Sequence, residues 1–244
     1  MKNLITIAVD AMGGDNAPLK IIDGIELHNK KSKNIFYKLF GNKNIIDPII
    51  QKKNLDKNCI EIIHTEEKIK GEDSAFAAAK RGKNTSMWLA VESVKKKSSD
   101  IVISAGNTGA LLVIAKLNLK MLENIDKPAL SGLWPSKKGM SVVLDLGANI
   151  ECSDKNLIDF SIMGSSLFKS LFPDEKPKVA LLNIGSEELK GNEVIKNTYQ
   201  KLNLIDNQEE YEFKGYIEGN NLMNGDVNVI VADGFTGNVA LKTA

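Results

Sequence analysis

Residues 141–173 read SVVLDLGANIECSDKNLIDFSIMGSSLFKSLFP, and three kinds of signal follow one another in that stretch. Ser141 to Leu146 is a β-rich, largely apolar run, as expected of a strand buried on both faces of a sheet. A polar turn containing glycine comes next, Asp145 to Asn149. Leu157, Phe160, Met163, Leu167 and Leu171 then recur every three or four residues, which predicts a helix over Asp154 to Phe172. Pro173 stops it, because proline has no N–H to donate and its ring clashes with the preceding turn.

The same alternation extends outward in both directions. Strands are predicted near Leu4 to Val9, Ile35 to Phe40, Ile60 to His64, Asp100 to Ser104, Leu130 to Trp134, Lys178 to Asn183, Phe213 to Ile217 and Val227 to Val231. A second helix is expected from about Thr85 to Lys97, and Pro18 suits the early turn of a helix after the first strand. Strands alternating with helices imply an α/β protein with a largely parallel sheet. No repeat, low-complexity tract or linker interrupts the pattern, so residues 1–244 are expected to form a single α/β domain.

Composition excludes several functional classes. The formal charge is +1, from 32 basic and 31 acidic residues, so no field of one sign marks the chain for nucleic acid. Hydrophobic residues at 43% and charged residues at 26% are those of a folded domain with a sizeable core. The longest wholly apolar stretch, Ala110 to Ala115, falls far short of a membrane span, and the first apolar run ends at Asp10 with no cleavage pattern after it. A cytoplasmic location is expected. Cys59 and Cys152 lack metal-site spacing and suit a reducing compartment. Arg81 is the only arginine, a bias toward lysine that makes runs such as Lys95 to Lys97 poor functional clues.

Common catalytic signatures are missing. No two glycines lie two positions apart, so a GxGxxG fingerprint cannot occur, and the Walker A loop and GxSxG elbow are absent. With only His28 and His64, a Ser-His-Asp mechanism has little to draw on. What recurs instead is a polar, glycine-rich turn after an apolar strand. It is found at Asp10 to Pro18 (DAMGGDNAP), Ser104 to Ala110 (SAGNTGA), Asp145 to Asn149 (DLGAN), Asn183 to Ser186 (NIGS) and Asp233 to Asn238 (DGFTGN). In an open parallel sheet the carboxyl ends of the strands share one rim, where ligands bind. Glycines let a ligand approach the backbone, and N–H groups at the next helix start attract an anion, so a phosphate-sized ligand is expected. The plain alternative is that Gly, Asn and Asp here simply make turns and caps. Asp10, Asp145 and Asp233 invite a metal, but their spacing matches no ligand pattern, and no metal is expected.

Five stretches carry a resemblance. IAVDAMGGDNAP (Ile7 to Pro18), SAGNTGA (Ser104 to Ala110), VVLDLGAN (Val142 to Asn149), ALLNIGSEELKGN (Ala180 to Asn192) and DGFTGNVALKT (Asp233 to Thr243) closely resemble, in order, the PlsX family of phosphate acyltransferases. The resemblance implies transfer of a fatty acyl group from acyl carrier protein to inorganic phosphate, giving acyl phosphate for phospholipid synthesis, with no cofactor. It implies a three-layer α/β/α fold similar to isopropylmalate dehydrogenases and phosphotransacetylases, a homodimer, and possible peripheral contact with a membrane. By motif, Lys190 would neutralise phosphate or polarise the thioester, and Asn238 would donate to the developing oxyanion. Asn107 and Thr108 would help form an anion nest, with Asp10, Gly13, Gly14 and Asn149 also at the phosphate.

Two positions depart from the family pattern: Glu151 stands where a shorter Asp is usual, and Lys127 where Arg is usual, charge being kept in both. The resemblance also implies a longer chain, since Ala244 falls inside the helical pattern begun near Gly237, so a truncated product or fragment is expected. Two further readings stand beside acyl transfer: a non-catalytic remnant binding acyl carrier protein or a partner subunit, and a nicotinamide-dependent dehydrogenase of the related fold.

Overall fold

The computed structural model describes residues 4–32, 34–205 and 210–244. They divide into two compact units, Met1–Lys120 and Met121–Ala244, a division for which the linker-free sequence carries no signal.

In the first unit, strands β1 (Ile5–Asp10), β2 (Ile35–Gly41), β3 (Ile60–His64) and β4 (Ile101–Ser104) form a parallel sheet in the order β3-β2-β1-β4. Side chains alternate across a strand, so the two faces can be read separately. Ile7 and Val9 of β1 face Ile22 and Ile25 of α1 (Leu19–Lys31) and Ile46 and Ile50 of α2 (Lys43–Gln51). Ala8 and Phe40 face the other way, onto Ala90 of α4 (Ser86–Lys95). Beside α4 pack α3 (Ala75–Arg81) and α5 (Thr108–Leu119), through Ala78, Met87, Val91, Ala110 and Ile114. Helices thus cover both faces of a parallel sheet.

In the second unit the order is β5-β6-β9-β7-β8, from β5 (Ser131–Ser136), β6 (Gly139–Leu144), β7 (Lys178–Asn183), β8 (Glu212–Glu218) and β9 (Val229–Val231). Only the β5–β6 pair is antiparallel. Val142, Leu144, Leu181 and Val231 face Leu157, Phe160 and Phe168 of α6 (Asp154–Leu171) and Ile195 and Leu202 of α7 (Glu193–Leu204). Val143, Ala180 and Ile230 face Trp134, Leu222 and Ala240, the last on α8 (Gly234–Thr243). The helix predicted from Asp154 begins there because Ser153 caps it: its hydroxyl accepts from the Asn156 N–H, and the Asn156 side chain accepts from the Ser153 N–H. The architecture is α/β/α, as expected. No helix among the described residues is long and apolar enough to cross a membrane.

Candidate active site

In the first unit β1 and β4 end side by side, with Asp10 opposite Ser104. The Asp10 carboxylate is buried and accepts from the Ser104 hydroxyl (2.7 Å) and the Met12 N–H (3.3 Å). A side chain at Gly13 would run into that carboxylate and come within 2.9 Å of the Ser104 Oγ, and Gly14 has φ +92 with the Ala105 carbonyl oxygen 2.6 Å from where a Cβ would lie. The turns after β1 and β4 therefore interlock, and only glycine fits at the contact. Asn107 caps α5: its Oδ1 accepts from the Ala110 N–H at 2.9 Å, while its Nδ2 donates to the carbonyls of Gly71 and Asp73, both at 2.9 Å. Its side chain is spent on structure. What the start of α5 leaves for an anion is the N–H groups of Thr108 and Gly109 and the hydroxyl of exposed Thr108.

In the second unit β6, β9 and β7 are adjacent and parallel, so the turns that follow them lie along one rim. The turn after β6 is organised by Asp145, which is wholly buried. Its Oδ1 accepts from the N–H groups of Leu130 (3.0 Å), Gly147 (3.2 Å) and Ala148 (3.0 Å), and its Oδ2 from the N–H and Nδ2 of Asn149, both at 2.8 Å. Asn149 also donates to the Pro128 carbonyl at 2.7 Å, so its amide nitrogen is fully used inside the loop. Asn238 of α8 donates to the Leu146 carbonyl at 3.0 Å and lies against Gly147, leaving one amide hydrogen unused. Gly237 permits this contact, because the Asp145 carbonyl occupies the space a Cβ would need.

Asp233 caps α8, accepting from the Thr236 N–H and hydroxyl at 2.8 Å each, and Asn192 caps α7, accepting from the Ile195 N–H at 2.9 Å. Asn183, at the end of β7, donates to the carbonyls of Gly185 and Lys190 at 3.1 Å each and so shapes the loop that carries Lys190. Lys190 is exposed, and its ammonium has no ion-pair partner among the described residues. Burial pushes the Cys152 thiol up, and the charge of Asp145 adds to this, so the thiol stays protonated near neutrality. At the two positions that depart from the family pattern, the Lys127 ammonium donates to the main-chain carbonyl of Glu151 (2.8 Å), not to its carboxylate.

The structure thus groups Asp10, Gly13, Gly14, Asn107 and Thr108 in the first unit, and in the second sets Asn238 of α8 against the loop that carries Asn149. Lys190 stands on the loop of β7, separated from that loop by β9, and makes no hydrogen bond to either asparagine. Two cavities open on the second unit's rim, of about 620 and 480 Å³, and both are bordered by Asn192, Asp233 and Thr236. Sequence reasoning placed Asp233 and Thr236 in one of the five candidate turns and weighed Asp233 for a metal, but named none of the three as a site residue. The available signal was a cap residue, Asn192 or Asp233, just before a helical pattern. Among the described residues no three His, Cys, Asp or Glu converge as metal ligands.

Residues 5–244 match the family model described as fatty acid synthesis protein. The chain is 73% identical over 244 residues to the phosphate acyltransferase of Pelagibacter ubique, covering all of this chain and 72% of that protein. It belongs to the PlsX family of phosphate acyltransferases. A second family member, from Paramagnetospirillum magneticum, is 41% identical, again over the whole chain and 69% of its own length. Among solved structures, the EutD phosphotransacetylase of Staphylococcus aureus is similar with a TM-score of 0.69 at 18% identity, covering 100% of this chain and 82% of that one. A phosphotransacetylase from Streptococcus pyogenes gives the same TM-score at 17% identity. At such identities the likeness shows the fold, and membership of the family makes the chain an acyltransferase.

Proposed function

We propose that this chain moves a fatty acyl group from acyl carrier protein to inorganic phosphate, releasing acyl phosphate for phospholipid synthesis, and that it works as a cytoplasmic homodimer with peripheral contact to the membrane. The observation that carries the reading is the second unit's rim, where three adjacent parallel strands deliver capped helix starts and an exposed lysine to one edge, in a chain of the phosphate acyltransferase family. A phosphate oxygen attacks the thioester carbonyl, a C–O bond forms, and the tetrahedral intermediate collapses as the C–S bond breaks and thiolate leaves. Phosphate is the nucleophile, so the protonated Cys152 thiol has no covalent part to play. The protein supplies position and charge stabilisation.

In this reading the Lys190 ammonium neutralises phosphate or polarises the thioester, and the unused amide hydrogen of Asn238 donates to the oxyanion. In the first unit, taken by itself, Thr108 offers an anion such as phosphate its hydroxyl and N–H, and Asp10, Gly13, Gly14 and Asn107 fix the turns that carry backbone N–H groups. In the second unit Asn149 fixes the loop after β6 in the same way. Incubation with acyl-loaded carrier protein and phosphate, with hydroxylamine trapping of the product, tests the proposal. Phosphate-dependent acyl hydroxamate is expected; release of free fatty acid alone would overturn it.

A further inference from the structure

The larger cavity of the second unit, about 620 Å³, has a sharply divided lining. At its neck stand Asn192, Asp233 and Thr236, which also border the neighbouring cavity of about 480 Å³. The rest of the lining is largely apolar, with Leu182, Ile195, Leu222 and Met223, and its polar members Asn183 and Thr243 donate to main-chain carbonyls. Helix α8 forms one side and runs along the cavity: Thr236 sits at the neck, Ala240 one turn further and Thr243 at the far end. At 1.5 Å per residue, that stripe is about 10 Å long. Asp233 is the only charged residue in the lining, and its carboxylate is held by Thr236.

We infer that this cavity receives the alkyl chain of the acyl donor, with the thioester at the neck, and that Ala240 and Met223 set the chain length the site accepts. The inference rests on the acyl-transfer reading of the same rim. The cavity's volume of about 620 Å³ lies within the range of small-molecule sites. A wall whose few donors are already spent on main-chain carbonyls gains chiefly from burying methylenes. A carboxylate at the neck repels the free fatty acid but not the uncharged thioester, so the charge there suits the substrate and not its hydrolysis product. The neck residues also border the smaller cavity, so in this reading the sulfur side of the thioester lies toward it.

The test compares uncharged butanoyl and decanoyl thioesters of N-acetylcysteamine, by calorimetric binding and by phosphate-dependent turnover, on the full chain and on Ala240→Phe and Met223→Trp. Met223 is partly exposed, so bulk there leaves the fold intact if Ala240→Phe does not. Circular dichroism verifies folding of both. Decanoyl binding is expected to weaken about tenfold or more in the variants, the equivalent of losing two buried methylenes, while butanoyl binding stays within about twofold. Equal losses for both thioesters, no loss for either, or no binding of decanoyl to the unmodified chain would overturn the inference. If polypeptide fills the cavity instead, the variants shift thermal stability or oligomeric state and keep the length preference, which also overturns it. Acyl phosphate formation with an unchanged preference leaves acyl transfer standing and removes the cavity's role. Length-selective binding without acyl phosphate does the reverse.

Discussion

Asp145, itself wholly buried, takes five N–H donations on two oxygens, and no neutral side chain can accept as many. Asp145→Ala strips partners from several part-buried donors at once, so a loss of about 3 kcal/mol in urea unfolding is expected. Unchanged stability would mean that the loop does not depend on the carboxylate. Lys190→Ala should behave differently, because the side chain is exposed: turnover falls about a hundredfold and stability moves by less than about 0.5 kcal/mol. Asn238→Ala combines the two effects, losing the donor to the Leu146 carbonyl at about 1 kcal/mol as well as the oxyanion donor. Equal turnover in the Lys190 and Asn238 variants and the unmodified chain would remove both from the chemistry. Residue types at the strand ends were legible in the sequence, but their use was not. Asn107 and Asn149 stand in the motifs as candidate ligands, and only in the fold are their amides committed to Gly71, Asp73, Pro128 and Asp145.

Elements were more legible than residues, for a reason that depends on periodicity. The strands Ile60–His64 and Lys178–Asn183 have the bounds read from the sequence, and α6 differs only at its last residue, because a short apolar run bounded by polar residues and a 3.6-residue repeat leave distinct marks. Helix α5 escaped notice because residues 110–115 are apolar all round and show no helical face. Between α6 and α7 the Lys201 ammonium holds the Asp154 carboxyl below its ordinary range, assisted by the Lys155 N–H. A depressed carboxyl pKa stabilises the fold above the ordinary value near 3.8, and that contribution is lost as pH falls through the folded-state value. Asp154→Asn should therefore cost about 0.5–1 kcal/mol at neutral pH, and the difference from the unmodified chain should close as unfolding is measured toward pH 2. A gap that persists at low pH would show that the pairing is not its source.

At the scale of the molecule, each hydrophobic cluster draws its residues from one unit. Those around Ile22 and Leu39, Ala90, and Met87 and Val91 belong to the first, and those around Phe160 and Leu181, and Val143 and Ile230, to the second. A division of this kind leaves little trace in composition, because the chain near Lys120 carries no Pro-, Gly- or Ser-rich linker and both halves repeat the same strand–turn–helix pattern. It has a physical consequence all the same. The second unit holds a five-stranded sheet with α6 and α7 on one face and α8 on the other, more than three strands and a helix need for independent stability. Residues 121–244 expressed alone should therefore unfold in one cooperative transition in urea, with far-ultraviolet circular dichroism and Trp134 fluorescence changing together. Trp134 is a good reporter because it packs in the cluster with Val143, Ile230 and Leu222, away from the α6 face that circular dichroism weights most. A broad, non-coincident change of the two signals would show that this unit's core needs the rest of the chain to form.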